Sequence, residues 1–206
     1  MIDDMEKLLI DNGKYVAPSI KIIDGTFDKC QELISLIEKF PNWRQSQVGL
    51  GDTDLKIRKS KEMDVPFGIS YPNIFFNLYQ TVFIHAIRYS KENDFSFSHI
   101  EPMSILCYQE KEDFYETHID AYSNHPRSMS ALLYLNDVAE GGETYFDKFD
   151  LSITPKSGRL VLFPSNYPYS HVAKPVILGK KYVAVAWFGQ LLERDVFENY
   201  FTNVVF

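Results

Sequence analysis

Three side chains give this chain most of the chemistry it can do: His118, Asp120 and His171. The first two lie in FYETHIDAYSNHP, residues 114–126, a strand-like stretch just ahead of a turn, in a chain with only five histidines to place. Residues two apart on a strand project from one face, so His118 and Asp120 are expected to point at one site while Ile119 packs behind them. A His-X-Asp pair also arises by chance, and alone it supports no more than a hydrogen-bonded surface pair. His171, which opens the run HVAKPV, adds a second imidazole from far along the chain. Two imidazoles and one carboxylate on one side of an ion leave positions free for substrate and oxygen, the arrangement favoured by non-haem Fe(II) oxygenases. Zinc is the competing metal, but no HExxH helix is present and no general base stands out nearby.

Ten residues beyond His171 comes Lys181, at the start of KYVAVAWFG. On an alternating strand it shares a face with Val183, Val185 and Trp187 and can point inward, whereas Lys180 faces the other way. A buried ammonium needs a partner, because an unpaired buried charge is expensive; with no acid beside it, a ligand carboxylate is the natural candidate. Alternation alone leaves a surface position for Lys181 equally open.

These residues must be held by short strands. From about residue 100 the runs MSILCYQE, RSMSALLYLND, GGETYFD, GRLVLFP, SHVAKPV and KYVAVAWFG are rich in β-branched and aromatic residues and are punctuated by Gly, Pro, Asn and Asp. Such a series behind a helical segment predicts a mainly β domain with flanking helices and a double-stranded β-helix, a jelly-roll core of the cupin type. Distant strand ends then meet at one mouth, which is where His118, Asp120 and His171 would converge. Residues 1–100 read as a mainly helical support region. One helix follows Thr26 or Asp28 as cap and buries Cys30, Leu33, Ile34 and Ile37 before Pro41. A second starts after Pro72, carries Ile74, Phe75, Leu78, Val82, Phe83 and Ala86 as its apolar stripe, and ends near Asn93. Between them, residues 49–68 read as loop with a short strand. The expected organisation is one domain over 1–206, with the core at 101–190 and a C-terminal segment, 191–206, that fits a helix or a strand.

Composition narrows the function classes. A formal charge of -7 with no Lys/Arg cluster argues against nucleic acid as a partner. No apolar run reaches membrane-spanning length and no signal pattern opens the chain, so a cytoplasmic protein is expected. Cys30 and Cys107 are far apart and form no CxxC pair, which fits a reducing compartment and excludes a disulfide framework.

Taken together, the residues over about 101–189 resemble the 2-oxoglutarate and Fe(II)-dependent dioxygenases, specifically the prolyl 4-hydroxylase branch. The resemblance rests on CYQEKEDFYETHID, RSMSALLYLND, GGETYF, ITPKSGRLVLFP and HVAKPVILGKKYVAVAWFG, and on RKS at 58–60, similar to an upstream Arg-x-Ser of that branch. It implies that His118, Asp120 and His171 hold Fe(II) and that Lys181 binds the far carboxylate of 2-oxoglutarate, with ascorbate as a further cofactor. Tyr108 matches a tyrosine that helps hold the cosubstrate, Tyr115 a pocket-lining aromatic, and Trp187 a late tryptophan near the substrate mouth. Some relatives carry a cosubstrate-binding tyrosine just before YLN; that position here is Leu133, which cannot donate a hydrogen bond, so Tyr108 or Thr144 is expected to compensate.

The reaction so implied couples oxidative decarboxylation of 2-oxoglutarate by O2 to hydroxylation of a substrate C–H bond. A peptidyl proline in a peptide or protein is the expected substrate, in a groove lined by aromatics such as Tyr122, Tyr167, Tyr169 and Trp187, with Arg127 a structural or rim residue that can touch it. A free amino acid or other small molecule is the first alternative, and a cupin-like metal-binding module without turnover is the rival from another class. Gly141 and Gly142 read as a tight bend into the next strand. His85, His99 and His125 read as packing or surface residues.

Overall fold

Each strand-like run of the second half becomes a strand in the computed structural model, which describes residues 12–48, 53–68, 70–121 and 126–190. The first part of the chain contains β1 (Lys14–Ala17), β2 (Ile20–Ile23), α1 (Cys30–Ile37), β3 (Arg44–Gln45), β4 (Arg58–Lys59), β5 (Lys61–Asp64), α2 (Asn73–Glu92) and β6 (His99–Ile100). The second contains β7 (Ser104–Tyr108), β8 (Phe114–His118), β9 (Arg127–Tyr134), β10 (Glu140–Gly141), β11 (Thr144–Phe146) and β12 (Leu151–Ile153). After these come β13 (Leu160–Pro164), β14 (His171–Ala173), β15 (Val176–Leu178) and β16 (Lys181–Gly189).

Two antiparallel sheets organise the molecule as a jelly-roll. The major sheet runs β1-β2-β13-β9-β16-β7-β5-β3, with β6 also paired to β16; the minor sheet runs β12-β11-β14-β8-β4. Neighbours in space are distant in sequence, as in β9 between β13 and β16, so residues from remote segments meet at one sheet end. Strand alternation then splits the major sheet's side chains between two layers. Ile105, Cys107, Ala131, Leu133, Tyr182, Ala184, Ala186 and Phe188 face α1 and α2 in one apolar core. Leu106, Tyr108, Leu132, Tyr134, Val183 and Val185 face the minor sheet in the other.

The first hundred residues depart from the helical expectation. Their described residues contain two helices but six strands, and β1, β2, β3 and β5 extend both edges of the major sheet. In β2 every residue is buried, including Lys21, whose ammonium pairs with Glu92 at the end of α2 at 2.7 Å. A four-residue strand buried on both faces has no alternation to announce it. The loop expected around residues 49–68 supplies β4 and β5. Helix α1 starts at Cys30 from Lys29, without a side-chain cap; Thr26, expected as a cap, instead donates its hydroxyl to the Gly158 carbonyl at 3.0 Å. Helix α2 runs between Pro72 and Asn93 as expected, and buries Ile74, Phe75, Leu78, Val82 and Ala86. Phe83 departs from that stripe and is 42% exposed. The C-terminal segment 191–206 lies outside the described residues.

Candidate active site

A cavity of about 230 Å³ lies between the two sheets. His118, Asp120 and His171 stand on its wall, and they are the one group among the described residues whose side chains could hold a metal ion, with ligand atoms all within 4.8 Å of one another. The histidines are direct cross-strand partners, His171 on β14 opposite His118 on β8, and their ring centroids are 4.3 Å apart. The same local device orients both rings. His118 Nδ1 is 2.8 Å from the Glu116 carbonyl and His171 Nδ1 is 3.1 Å from the Tyr169 carbonyl, two residues back in each case. A proton on each Nδ1 satisfies these carbonyls and leaves each Nε2 lone pair for a metal.

Asp120 reaches the cluster by a route that strand alternation does not predict. Strand β8 ends at His118, and Asp120 lies two residues beyond it in a bend. Its amide donates to the Ser165 carbonyl at 3.0 Å, while Ser130 on β9 donates its hydroxyl to Asp120 Oδ2 at 2.6 Å. The carboxylate is therefore fixed from the major sheet, and its oxygens lie 3.6 Å from His118 Nε2 and 3.9 Å from His171 Nε2. Burial alone would push the Asp120 carboxyl up, but the His171 and His118 rings and the Ser130 hydroxyl outweigh it and hold Asp120 well below the usual carboxylate range. Burial and the neighbouring His118 ring push His171 down to about 4, so it is neutral at ordinary pH. A deprotonated carboxylate with two oriented imidazole lone pairs fits a hard or borderline divalent ion without rearrangement.

Lys181 occupies another part of the cavity wall and is 1% exposed. Its ammonium donates to the Gly142 carbonyl at 2.9 Å and lies 4.1 Å from the centroid of the Tyr108 ring, which belongs to its cross-strand partner on β7. Burial pushes its pKa down to about 7, with only the charge of Glu143 opposing the shift. The GGET bend has a second use here. Gly141 and Gly142 both have positive φ, a Cβ on Gly141 would meet the Pro175 carbonyl oxygen at 2.5 Å, and Gly142 presents its own carbonyl to Lys181.

The remaining expectations divide. Tyr115 stacks on His118 with ring centroids 3.5 Å apart, and the Arg58 guanidinium lies 4.7 Å from the Tyr115 centroid. Arg127 is a brace as well as a rim residue: two of its nitrogens donate to Glu101 at 2.8 and 2.6 Å, a third donates to the Asp120 carbonyl at 3.0 Å, and its guanidinium sits 3.9 Å from the Trp187 centroid. Trp187 lines the cavity, whereas Tyr167 is 75% exposed and Tyr169 packs on Phe149, so neither forms the expected aromatic groove. Tyr122 and His125 lie outside the described residues. His85 is buried on α2 and His99 lies on β6; neither lines the cavity.

The concern over Leu133 is misplaced. Leu133 is fully buried on the helix side of β9, and the next residue, Tyr134, faces the cavity with its hydroxyl donating to Thr144 Oγ1 at 2.7 Å. Register carried the missing signal: Tyr134 pairs with Val183, which shares the Lys181 face, whereas Leu133 pairs with Ala184. Gln47, Glu62 and Ser130 also escaped the sequence reading, because isolated polar residues carry no motif.

With this geometry in place, the comparisons with known proteins are specific. The 2OG-Fe(II) oxygenase superfamily matches residues 103–189, the span that holds the metal-competent cluster and Lys181. A putative prolyl 4-hydroxylase of Acanthamoeba polyphaga mimivirus is 30% identical over 210 residues, covering 90% of this chain and 79% of the viral protein. The chain belongs to the 2OG-Fe(II) oxygenase superfamily, in its prolyl 4-hydroxylase-like branch. Human prolyl 3-hydroxylase 2 is 43% identical over 67 residues, which cover 30% of this oxygenase but 10% of the human protein. Among solved structures, a prolyl hydroxylase from Trichoplax adhaerens, in complex with a hypoxia inducible factor peptide fragment, superposes with a TM-score of 0.72 at 20% identity over 84% of each chain. At that identity the likeness establishes the shared fold. The family's reaction requires Fe(II), 2-oxoglutarate and O2, and the donor set described above suits the iron.

Proposed function

We propose that this oxygenase hydroxylates a proline within a peptide, with Fe(II) held by His118, Asp120 and His171 and the far carboxylate of 2-oxoglutarate held by Lys181. One observation carries the site assignment. The cavity that contains the two-histidine, one-carboxylate cluster also contains a buried ammonium whose hydrogen-bond acceptor, among the described residues, is a single main-chain carbonyl. A dicarboxylate supplies the missing countercharge at one end and metal-binding oxygens at the other. Bound iron supplies the oxidising chemistry, and the side chains supply position. Lys181, with Tyr108 beneath it, anchors the cosubstrate; Ser130 and Arg127 hold Asp120 from its side chain and its main chain; the enclosing sheets limit water.

The peptide assignment is supported by two donors as well as by the names of the relatives. Arg58 Nε and Trp187 Nε1 are both buried and have no hydrogen-bond partner among the described residues, although both side chains line the cavity. Buried N–H groups need acceptors, and an extended peptide offers carbonyls in series. The two buried free cysteines fit action in a reducing compartment, the cytoplasm being our proposal for it.

Anaerobic Fe(II) and 2-oxoglutarate titration, followed by O2-dependent succinate release with a library of proline-containing peptides, tests the reading. The expected result is ordered binding of both and a peptide mass gain of one oxygen. Metal binding without cosubstrate binding would favour the non-catalytic module, and turnover confined to free amino acids would move the substrate to the small-molecule class.

A further inference from the structure

The outer face of α2 does not look like a finished surface. From Asn73 to Ile87 the helix contains no Asp, Glu, Lys or Arg, and Phe76, Gln80, Phe83, Ile84 and Ile87 recur at the spacing of a second stripe, opposite the one buried on the sheet. Phe76 is 57% exposed and Phe83 42%. Phe67, beyond the helix, is 67% exposed and contacts Tyr79 with ring centroids 5.1 Å apart, which continues the apolar surface. A helix apolar on both faces is normally covered on both, and a contiguous aromatic patch of this kind marks a contact surface.

The described chain ends beside this patch. Gln190 donates its side-chain amide to the Ser96 carbonyl at 2.8 Å, and the next residue along, Phe97, packs between buried Phe188 and exposed Phe83, with centroids 4.8 and 6.2 Å away. The residues that follow Gln190 begin LLERDVFENYF and are rich in large apolar side chains: Leu191, Leu192, Val196, Phe197, Tyr200 and Phe201. Charge agrees with position. Arg88, four residues after Ile84 along this stripe and close to the C-terminal end of α2, has a buried Nη1 with no hydrogen-bond partner among the described residues, and Glu193 and Asp195 come within five residues of Gln190.

We propose that the outer face of α2 is the docking surface for the chain's own residues 191–206, with Phe76 and Phe83 as its apolar anchors and Arg88 as the partner of Glu193 or Asp195. The alternative occupant, a second copy of the chain, would use the same aromatics without needing the acidic residues.

Paramagnetic relaxation in the full chain separates these. Cys30 and Cys107 are buried, so a nitroxide can be directed to Gln80→Cys on the outer face while the 15N resonances of residues 191–206 are followed. The expected result is loss of signal intensity across that segment, unchanged when the labelled chain is diluted with unlabelled chain, and its recovery in Phe83→Ser. Undiminished intensity at 191–206 overturns the proposal, as does broadening that survives Phe83→Ser. Broadening seen only between mixed spin-labelled and isotope-labelled chains also overturns it and assigns the face to a second copy. Amide dispersion elsewhere in the spectrum verifies that each variant is folded.

Discussion

Strands β7, β9 and β16 present the same backbone to two different environments. On the helix side, Cys107, Leu133, Ala184 and Phe188 make an apolar layer that α1 and α2 cover. On the other, Tyr108, Tyr134 and Lys181 sit equally deep, with Trp187 half-buried beside them, but these side chains carry polar atoms with few partners among the described residues. The first layer gains free energy from every residue it buries, by roughly 25 cal/mol per Å² of apolar surface. The second spends some of that gain on desolvated groups that only a metal, a cosubstrate or a substrate can satisfy. One sheet therefore separates stability from function residue by residue, and mutations at adjacent positions should fail in different ways.

The largest effect is expected at the cluster. Asp120→Ala removes the carboxylate that Ser130 and Ser165 position, and should abolish both Fe(II) binding and succinate formation; retention of stoichiometric Fe(II) in an anaerobic titration would remove Asp120 from the metal site. Next is Lys181. Truncating one member of a buried charge pair costs about 2–5 kcal/mol of binding, so Lys181→Ala should weaken 2-oxoglutarate affinity by roughly 30-fold or more while leaving Fe(II) affinity largely intact. Without cosubstrate the same ammonium is a liability, and an apolar replacement of similar shape, Lys181→Met, should raise the melting temperature of the ligand-free protein. A lower melting temperature would put Lys181 with the structural layer. Leu133→Ala is the matched control across the sheet: a cavity in the dry layer should cost about 2–5 kcal/mol in chemical denaturation, with 2-oxoglutarate affinity unchanged.

Much of this partition was legible in the sequence, because it follows from period-two patterning. The runs from MSILCYQE to KYVAVAWFG all became strands, and His118, Asp120, His171 and Lys181 were singled out by residue type and spacing and meet on one cavity. What was not legible depends on long-range register or on main-chain contacts. Choosing between Leu133 and Tyr134 requires knowing that Val183 pairs with Tyr134, across a sheet whose strands are about fifty residues apart in sequence. Asp120 joins the cluster by a route other than the expected strand alternation, since it sits past the strand end and is held by serines that no motif marks. The hairpin of β1 and β2 was hidden because buried Lys21 interrupts its apolar run, and the charge that obscured it is neutralised by Glu92, 71 residues away.

The pH dependence of cosubstrate binding should expose the same separation. Lys181 falls from an ordinary value of 10.5 to about 7 in the folded protein because burial opposes its charge. Between these values the unfolded chain holds the proton that the folded chain has lost. The contribution of this group to ligand-free stability therefore rises with pH through the window from about 7 to 10.5. Binding a dicarboxylate favours the charged form, so 2-oxoglutarate affinity should change in the opposite direction, falling by up to about tenfold per pH unit above neutrality. Calorimetry in buffers of different ionisation enthalpy would detect the proton taken up; affinity flat across that range, with no proton uptake, would mean that Lys181 is charged before the cosubstrate arrives.

The smallest predicted effect is the sharpest test of where the line between the two layers runs. Tyr134 is fully buried, its side chain uncharged and its hydroxyl bonded to Thr144, so by burial alone it belongs with Leu133. By direction it belongs with Lys181, because its ring and Thr144 both line the cavity. If the hydroxyl pair helps to receive the cosubstrate carboxylate, Tyr134→Phe should cost about 1 kcal/mol of 2-oxoglutarate affinity, roughly fivefold, with little change in melting temperature, and Thr144→Val should overlap with it in a double-mutant cycle. A lower melting temperature with unchanged affinity would mean that the phenol only braces β9 against β11. The functional layer would then begin at Lys181 and Tyr108, and position on the cavity face would be insufficient to identify a ligand-binding side chain.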